Sequence, residues 1–152
     1  MFPIKYLTIH CAATRENVFV SEKTIKEIGL SRFGQPAYHL VIDQDGEYYR
    51  HLPDDKRGAH VGGHNTGNIG ICYIGGLDKF SKPKDTRSRE QKKTMRTLIR
   101  TYQARYPGIQ IMGHRDWSPD KNKNGIIDAS EWLKDCPCFD VKTWLEQRMP
   151  IE

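Results

Sequence analysis

The sequence predicts a mixed α/β fold in which a central mixed β-sheet is flanked by helices. Three observations carry this expectation. Strand-like and helix-like segments alternate along the chain. Residues 69–74, Ile-Gly-Ile-Cys-Tyr-Ile, are almost continuously apolar, as a strand covered on both faces must be. Ser88 and Gln91 form a capping-box pair ahead of an apolar stripe at helical spacing, which marks a long helix.

Taken in order, residues 5–10 have the β-branched and aromatic character of a strand and deliver His10 at its end. Ser21 is an N-cap candidate for a helix over 21–30, with Ile25 and Ile28 on one face and Gly29 and Gly34 limiting its length. Residues 37–42 form a second strand, and Asp45-Gly46 turns it into a third over 47–51. Residues 53–68 are rich in glycine, histidine and charge and read as a loop. The helix opened by Ser88 runs to about Tyr106, with Met95, Leu98, Ile99, Tyr102 and Tyr106 facing inward, until Pro107-Gly108 stops it. A short strand over 109–113 ends in His114, and a terminal helix is expected over 141–148. No repeat or low-complexity tract divides the chain, so residues 1–152 are expected to form one domain.

Composition narrows the class of function. Hydrophobic residues make up 37% and charged residues 28%, the balance of a soluble globular protein. No apolar run reaches the roughly 18 to 20 residues that span a bilayer, so membrane insertion is not expected. The first ten residues lack a signal peptide's basic head, apolar stretch and cleavage site, which points to synthesis in the cytoplasm. The formal charge is +5, and eight basic residues face two acidic ones between Lys79 and Arg96. That excess suits a polyanion (a wall polymer, nucleic acid or an anionic membrane surface), or simply a solvated loop and helix face. No helix-turn-helix, zinc-finger or RNA-recognition pattern is present, so nucleic acid is not an expected partner. Without an export signal, Cys11, Cys72, Cys136 and Cys138 are expected to stay reduced, with Cys72 buried in its apolar run.

Three residues of metal-binding type stand where a fold could gather them: His10 and His114 at strand ends, and Cys136 in a loop before the last helix. Catalytic zinc takes three protein ligands and keeps a fourth position for water. Singly, a histidine at a strand end or an isolated cysteine is ordinarily structural. By type and place alone, Tyr38 reads as core packing and Lys134 as a surface charge. A thiol peptidase using Cys11 with a histidine is a further option, although the neighbourhood of Cys11 has no dedicated signature.

The phrases that surround these residues are more specific. Residues 8–14 (Thr-Ile-His-Cys-Ala-Ala-Thr), 37–42 (Ala-Tyr-His-Leu-Val-Ile), 68–76 (Asn-Ile-Gly-Ile-Cys-Tyr-Ile-Gly-Gly), 113–116 (Gly-His-Arg-Asp) and 134–140 (Lys-Asp-Cys-Pro-Cys-Phe-Asp) occur in this order. Together they resemble the type 2 N-acetylmuramoyl-L-alanine amidases, the family of short phage lysozyme-like amidases and peptidoglycan recognition proteins. The resemblance spans nearly the whole chain. It implies zinc at the floor of a substrate groove, held by His10, His114 and Cys136 rather than Cys138. It also implies Tyr38 and Lys134 as catalytic residues, His60 along the groove, and peptidoglycan as the partner of a monomeric enzyme; His64, in the same glycine-rich loop, is expected to line the groove as well. The expected reaction is hydrolysis of the amide between N-acetylmuramic acid and L-alanine after delivery to the cell wall. The rival within the family is a module that binds peptidoglycan without cutting it, and retention of Cys136, Tyr38 and Lys134 favours the enzyme. His39, next to Tyr38 on a strand, should face the other way and is read as structural.

A second metal signal follows His114. Residues 120–131 match the calcium-loop pattern D-x-[DN]-x-[DN]-G-x5-E, which offers Asp120, Asn122, Asn124, the Ile126 carbonyl, Asp128 and Glu131 as oxygen ligands around a turn at Gly125. Pro119 precedes it without an entering helix, so an Asx-rich surface turn is the alternative. If calcium binds, it would stiffen the segment just ahead of Lys134 and Cys136.

Overall fold

The structure is a computed structural model that describes residues 2–125, 127 and 135–152. Strands β1 (Tyr6–Cys11), β3 (Leu40–Ile42), β4 (Tyr48–Arg50), β5 (Asn68–Tyr73) and β7 (Gln110–Gly113) make a five-stranded sheet in the order β4-β3-β5-β1-β7. Only the β3–β4 pair is antiparallel. A two-stranded parallel ribbon, β2 (Thr14–Arg15) with β6 (Gly76–Leu77), extends the ends of β1 and β5. The mixed sheet flanked by helices is the expected class.

Strand alternation divides the sheet into two unlike faces. Leu7, Ile9, Leu40, Ile42, Ile69, Ile71 and Tyr73 point to one side. There they meet Met95, Leu98, Ile99 and Tyr102 of α2 (Arg89–Arg105) and Val141 and Trp144 of α3 (Val141–Glu146). The capping box is formed: Ser88 Oγ accepts from the Gln91 amide at 3.1 Å, and Gln91 Oε1 accepts from the Ser88 amide at 3.0 Å. Tyr102 and Tyr106 reach Asp54 with their hydroxyls, at 2.6 and 3.2 Å, which pins the start of the long loop to this helix. α3 ends at Glu146, short of the expected boundary, and Arg148 and Met149 take positive φ values.

The other face carries Thr8, His10, Val41, Gly70 and Cys72, covered by α1 (Glu22–Phe33) and the 53–67 loop. Val41 and Cys72 pack there with Ile25 and Ile74. Two expectations for α1 change. The helix does not stop at Leu30 but continues to Phe33, where Gly34, at φ +73°, caps it. Ile28 is 47% exposed rather than inward, because Ile25 and Gly29, four residues apart, form the buried line. Gly29 is required by packing: a Cβ there would stand 2.7 Å from the Ala37 amide nitrogen. The close return of the chain that glycine permits brings Tyr38 under the helix. Tyr38 and His39 lie before β3 rather than on it. Among the described residues no helix is long and apolar enough to cross a membrane.

Candidate metal centre

The parallel register explains how two histidines far apart in sequence meet. Ile9 of β1 is paired with Gly113 of β7, so His10 and His114 leave the sheet side by side at the same end. Their rings lie 4.6 Å apart between centroids. In parallel sheets this carboxyl end is where ligands gather. Asp116 Oδ2 accepts from the Gly113 amide at 2.7 Å and fixes the 3-10 turn, His114–Trp117, that carries the second histidine.

Cys136 arrives from the segment before α3 and is held from three directions. Its carbonyl accepts from the Arg115 amide at 2.9 Å, beside His114. The next carbonyl, that of Pro137, accepts from the Tyr73 hydroxyl at 2.6 Å. The Cys136 Sγ accepts from the Cys11 amide at 3.1 Å.

The ligand atoms of His10, His114 and Cys136 all lie within 4.8 Å of one another, and Cys136 Sγ is 3.8 Å from His10 Nδ1. Donor atoms bound at about 2.0–2.3 Å to one tetrahedral zinc stand roughly 3.4–3.8 Å apart. The Cys136–His10 distance meets that span, and two imidazoles with a thiol suit zinc in number and chemical type. His10 is 1% exposed and forms the floor, while His114 and Cys136 are partly open.

Two cavities, of about 250 and 720 Å³, meet over this cluster and share Phe33, Ala59, His60 and His114 in their walls. Ile28, Arg32 and Tyr38 line the first, and His64, Arg115 and Trp117 the second. The result is a groove running away from the three ligands in two directions. Its aromatic and arginine walls were not foreseen, since Phe33, Arg32 and Trp117 carry no local pattern that marks them.

The Tyr38 ring lies 5.1 Å from that of His10. Burial holds its phenol well above the ordinary range, so it stays an O–H donor at neutral pH. His64 stacks on Trp117 at 4.6 Å in the groove wall. His60 touches the groove but is only 7% exposed, and its Nδ1 lies 2.8 Å from His10 Nε2. Burial pushes its pKa down to about 3, so it is neutral. His39 is buried, bonded to the Lys56 carbonyl at 2.7 Å and the Gly70 amide at 3.0 Å. Lys134 lies outside the described residues.

Among the described residues the other thiols are not part of this ligand cluster. Cys138 Sγ faces Cys11 Sγ at 3.8 Å and the Gly76 carbonyl at 3.3 Å, and all four cysteines are free. The Cys11 thiol is pushed up to about 12, chiefly by its contact with Cys136 and by burial. A thiol held that high is a poor nucleophile at neutral pH, which counts against the thiol-peptidase alternative.

In the calcium-like segment, Asp120 Oδ2 accepts from the Gly125 amide at 2.8 Å and Asn122 Oδ1 from the Asn124 amide at 3.2 Å, with Gly125 at φ +81°. These bonds suit an Asx-rich turn as well as an ion loop. Ile126, Asp128 and Glu131 lie outside the described residues.

The chain is similar to known proteins in sequence and in fold. The family model described as N-acetylmuramoyl-L-alanine amidase matches residues 1–126. An endolysin of Klebsiella phage KP32 is 31% identical over 143 residues, covering 91% of this chain and 83% of the phage protein. An uncharacterized protein of Haemophilus influenzae is 44% identical over 94 residues, 62% of this chain and 81% of that protein. Among solved structures, N-acetylmuramoyl-L-alanine amidase LysC from Clostridium intestinale superposes with a TM-score of 0.70 at 19% identity, covering 98% of this chain and 88% of that one. Drosophila PGRP-LB gives 0.65 at 18% identity, covering 90% and 76%. At these identities the structural likeness concerns the fold, while the sequence matches carry the relationship: the chain belongs to the N-acetylmuramoyl-L-alanine amidase family.

Proposed function

We propose that this protein is a zinc-dependent N-acetylmuramoyl-L-alanine amidase that hydrolyses the amide joining the lactyl group of N-acetylmuramic acid to L-alanine in peptidoglycan. The observation that carries the reading is the gathering of His10, His114 and Cys136 ligand atoms within 4.8 Å at the floor of a groove. Membership of the amidase family and the likeness to phage endolysins support the choice of bond and of the cell wall as the place of action.

His10 Nδ1, a ring nitrogen of His114 and Cys136 Sγ would hold the zinc. When bound, zinc supplies activation of water and polarisation of the scissile carbonyl. The chain's own residues do the rest. The groove seats glycan and stem peptide on opposite sides of the ligand cluster, so the amide lies across its floor. The Tyr38 hydroxyl, kept protonated by burial, donates a hydrogen bond to the attacking water or to the carbonyl oxygen as charge develops. Lys134 is assigned to the same oxyanion as a cation, on the strength of its place two residues before Cys136. His64, stacked on Trp117, forms part of the wall against which substrate rests.

Digestion of purified peptidoglycan tests this. The expected products are new L-alanine amino groups with no new reducing sugar ends, a yield abolished by a zinc chelator and restored by zinc. Reducing ends would indicate a glycosidase, and chelator-resistant release would remove the metal from the reaction. A protein that sediments with the wall yet frees no amines would be a binding module.

The 120–131 segment is assigned a calcium ion on its sequence pattern alone. Calcium should raise the melting temperature of wild type and not of Asp120→Ala. An equal response, or none, would leave the segment a surface turn.

A further inference from the structure

His60 stands against His10 in the groove wall, and its hydrogen bonds decide which nitrogen of His10 can meet a metal. Its Nε2 lies 2.8 Å from the Asn68 carbonyl oxygen. A carbonyl only accepts, so Nε2 must carry the proton. In a neutral imidazole Nδ1 is then the acceptor. His60 Nδ1 is 2.8 Å from His10 Nε2, so His10 donates there and its own proton sits on Nε2. That leaves the lone pair of His10 Nδ1 directed at the cluster, where Cys136 Sγ lies 3.8 Å away.

The surroundings keep His60 in this role. Asn65 Oδ1 accepts from the backbone amides of His60 and Val61, at 2.9 and 2.8 Å, and so fixes the loop. Two glycines make room for the ring: a Cβ on Gly70 or on Gly58 would come within 2.8 Å of His60 Cδ2. Asn68, which receives the Nε2 proton through its carbonyl, is itself held through its side chain. Its Oδ1 accepts from Thr8 Oγ1 at 2.8 Å, its Nδ2 donates to the His64 carbonyl at 2.8 Å, and Thr8 Oγ1 accepts in turn from Trp117 Nε1 at 3.0 Å. A continuous chain of directed bonds thus runs from the groove wall at Trp117, through Thr8, Asn68 and His60, to His10.

We propose that His60 is a positioning residue for the metal centre: by accepting the Nε2 proton of His10 it sets the tautomer and ring orientation that present Nδ1 as the ligand. The inference rests on the reading of His10, His114 and Cys136 as a zinc site. Groups that orient a ligating histidine in this way are commonly worth 10- to 100-fold in metal affinity.

Zinc dissociation constants, measured by competition with a chromophoric chelator, test it. His60→Leu, which keeps bulk but accepts no proton, should bind zinc roughly 10- to 100-fold more weakly than wild type. His60→Gln, whose side-chain oxygen can still accept from His10, should recover part of that loss. Nitrogen-15 NMR of the zinc-loaded wild type should show His10 protonated at Nε2. Equal affinity in wild type and a folded His60→Leu, or a His10 protonated at Nδ1, overturns the proposal while leaving the zinc site standing. A wild type that takes up no zinc overturns both. Should His60→Leu not fold, His60→Gln and the wild-type spectrum decide the matter.

Discussion

The two faces of the sheet solve different problems with the same strands. Beneath α2 and α3 the face is made of Leu, Ile, Met and aromatic side chains, and its contacts are predominantly apolar. On the opposite face Thr8, His10, His39, His60 and Asn68 are all buried, and each is tied to a neighbour by a directed hydrogen bond or ring contact. Gly70 supplies no side chain there, only room. Burial of apolar area holds the first face, and it tolerates small shape changes. The second holds position, since a buried imidazole with a lost partner costs more than the bond itself contributes. Stability and chemistry are therefore separable in this protein by which way a strand residue points.

Substitutions that cut each face should separate the two properties. The largest effect is expected from Cys136→Ser, which removes the thiolate: amide hydrolysis should fall by roughly a thousandfold or more. The melting temperature of the metal-free protein should hardly change. Comparable losses in both would mean that Cys136 acts through folding. On the apolar face, Ile99→Ala removes a fully buried side chain and should cost about 3 kcal/mol of unfolding free energy, read from denaturant curves. Activity per folded molecule should be retained, and a matching fall in kcat would show that the faces are coupled. Asp54→Asn weakens the contacts with Tyr102, Tyr106, Arg50 and Arg105 that hold the loop to α2. A loss of about 1–2 kcal/mol is expected by the same measurement.

The smallest and most diffuse effect is that of pH on the polar face. Burial lowers the pKa of His39, and holds that of His60 at about 3, against about 6.5 in an unfolded chain. The fold excludes the proton and the unfolded chain binds it. Their contribution to stability is therefore complete above about pH 6.5 and declines as pH falls from there toward the folded values. Urea midpoints of the metal-free protein should drop between pH 7.5 and 5, whereas a flat profile would mean that these imidazoles are not held neutral.

Much of this arrangement was legible in the residues. His10 and His114 each end a β-branched run, and strand ends are where a parallel sheet exposes ligands. Cys136 stood out through its phrase, not its spacing. What pairwise patterns could not convey was register: the meeting of Ile9 with Gly113 is a property of the assembled sheet. For the same reason the contact of His60 with His10 could not be read, because a loop has no periodicity to say which way it folds back. The clue present in the sequence was Thr8 and Asn68, polar residues in otherwise apolar strands, which need buried partners. Gly29 misled the helix boundary because its cost in a helix is outweighed by the close packing it allows. The basic excess between Lys79 and Arg96 was also less of a surface than a count suggests. Arg87 is buried against Phe139 and Trp144 with Asp85 as its partner, and Lys84 pairs with Glu16.

The central claim is that one metal ion is held by two imidazoles and one thiolate. Zinc K-edge X-ray absorption of the loaded protein tests it most directly. The account predicts a single sulfur at about 2.3 Å with nitrogen or oxygen donors at about 2.0–2.1 Å. A shell without sulfur, or with two sulfurs through recruitment of Cys138 or Cys11, would contradict it.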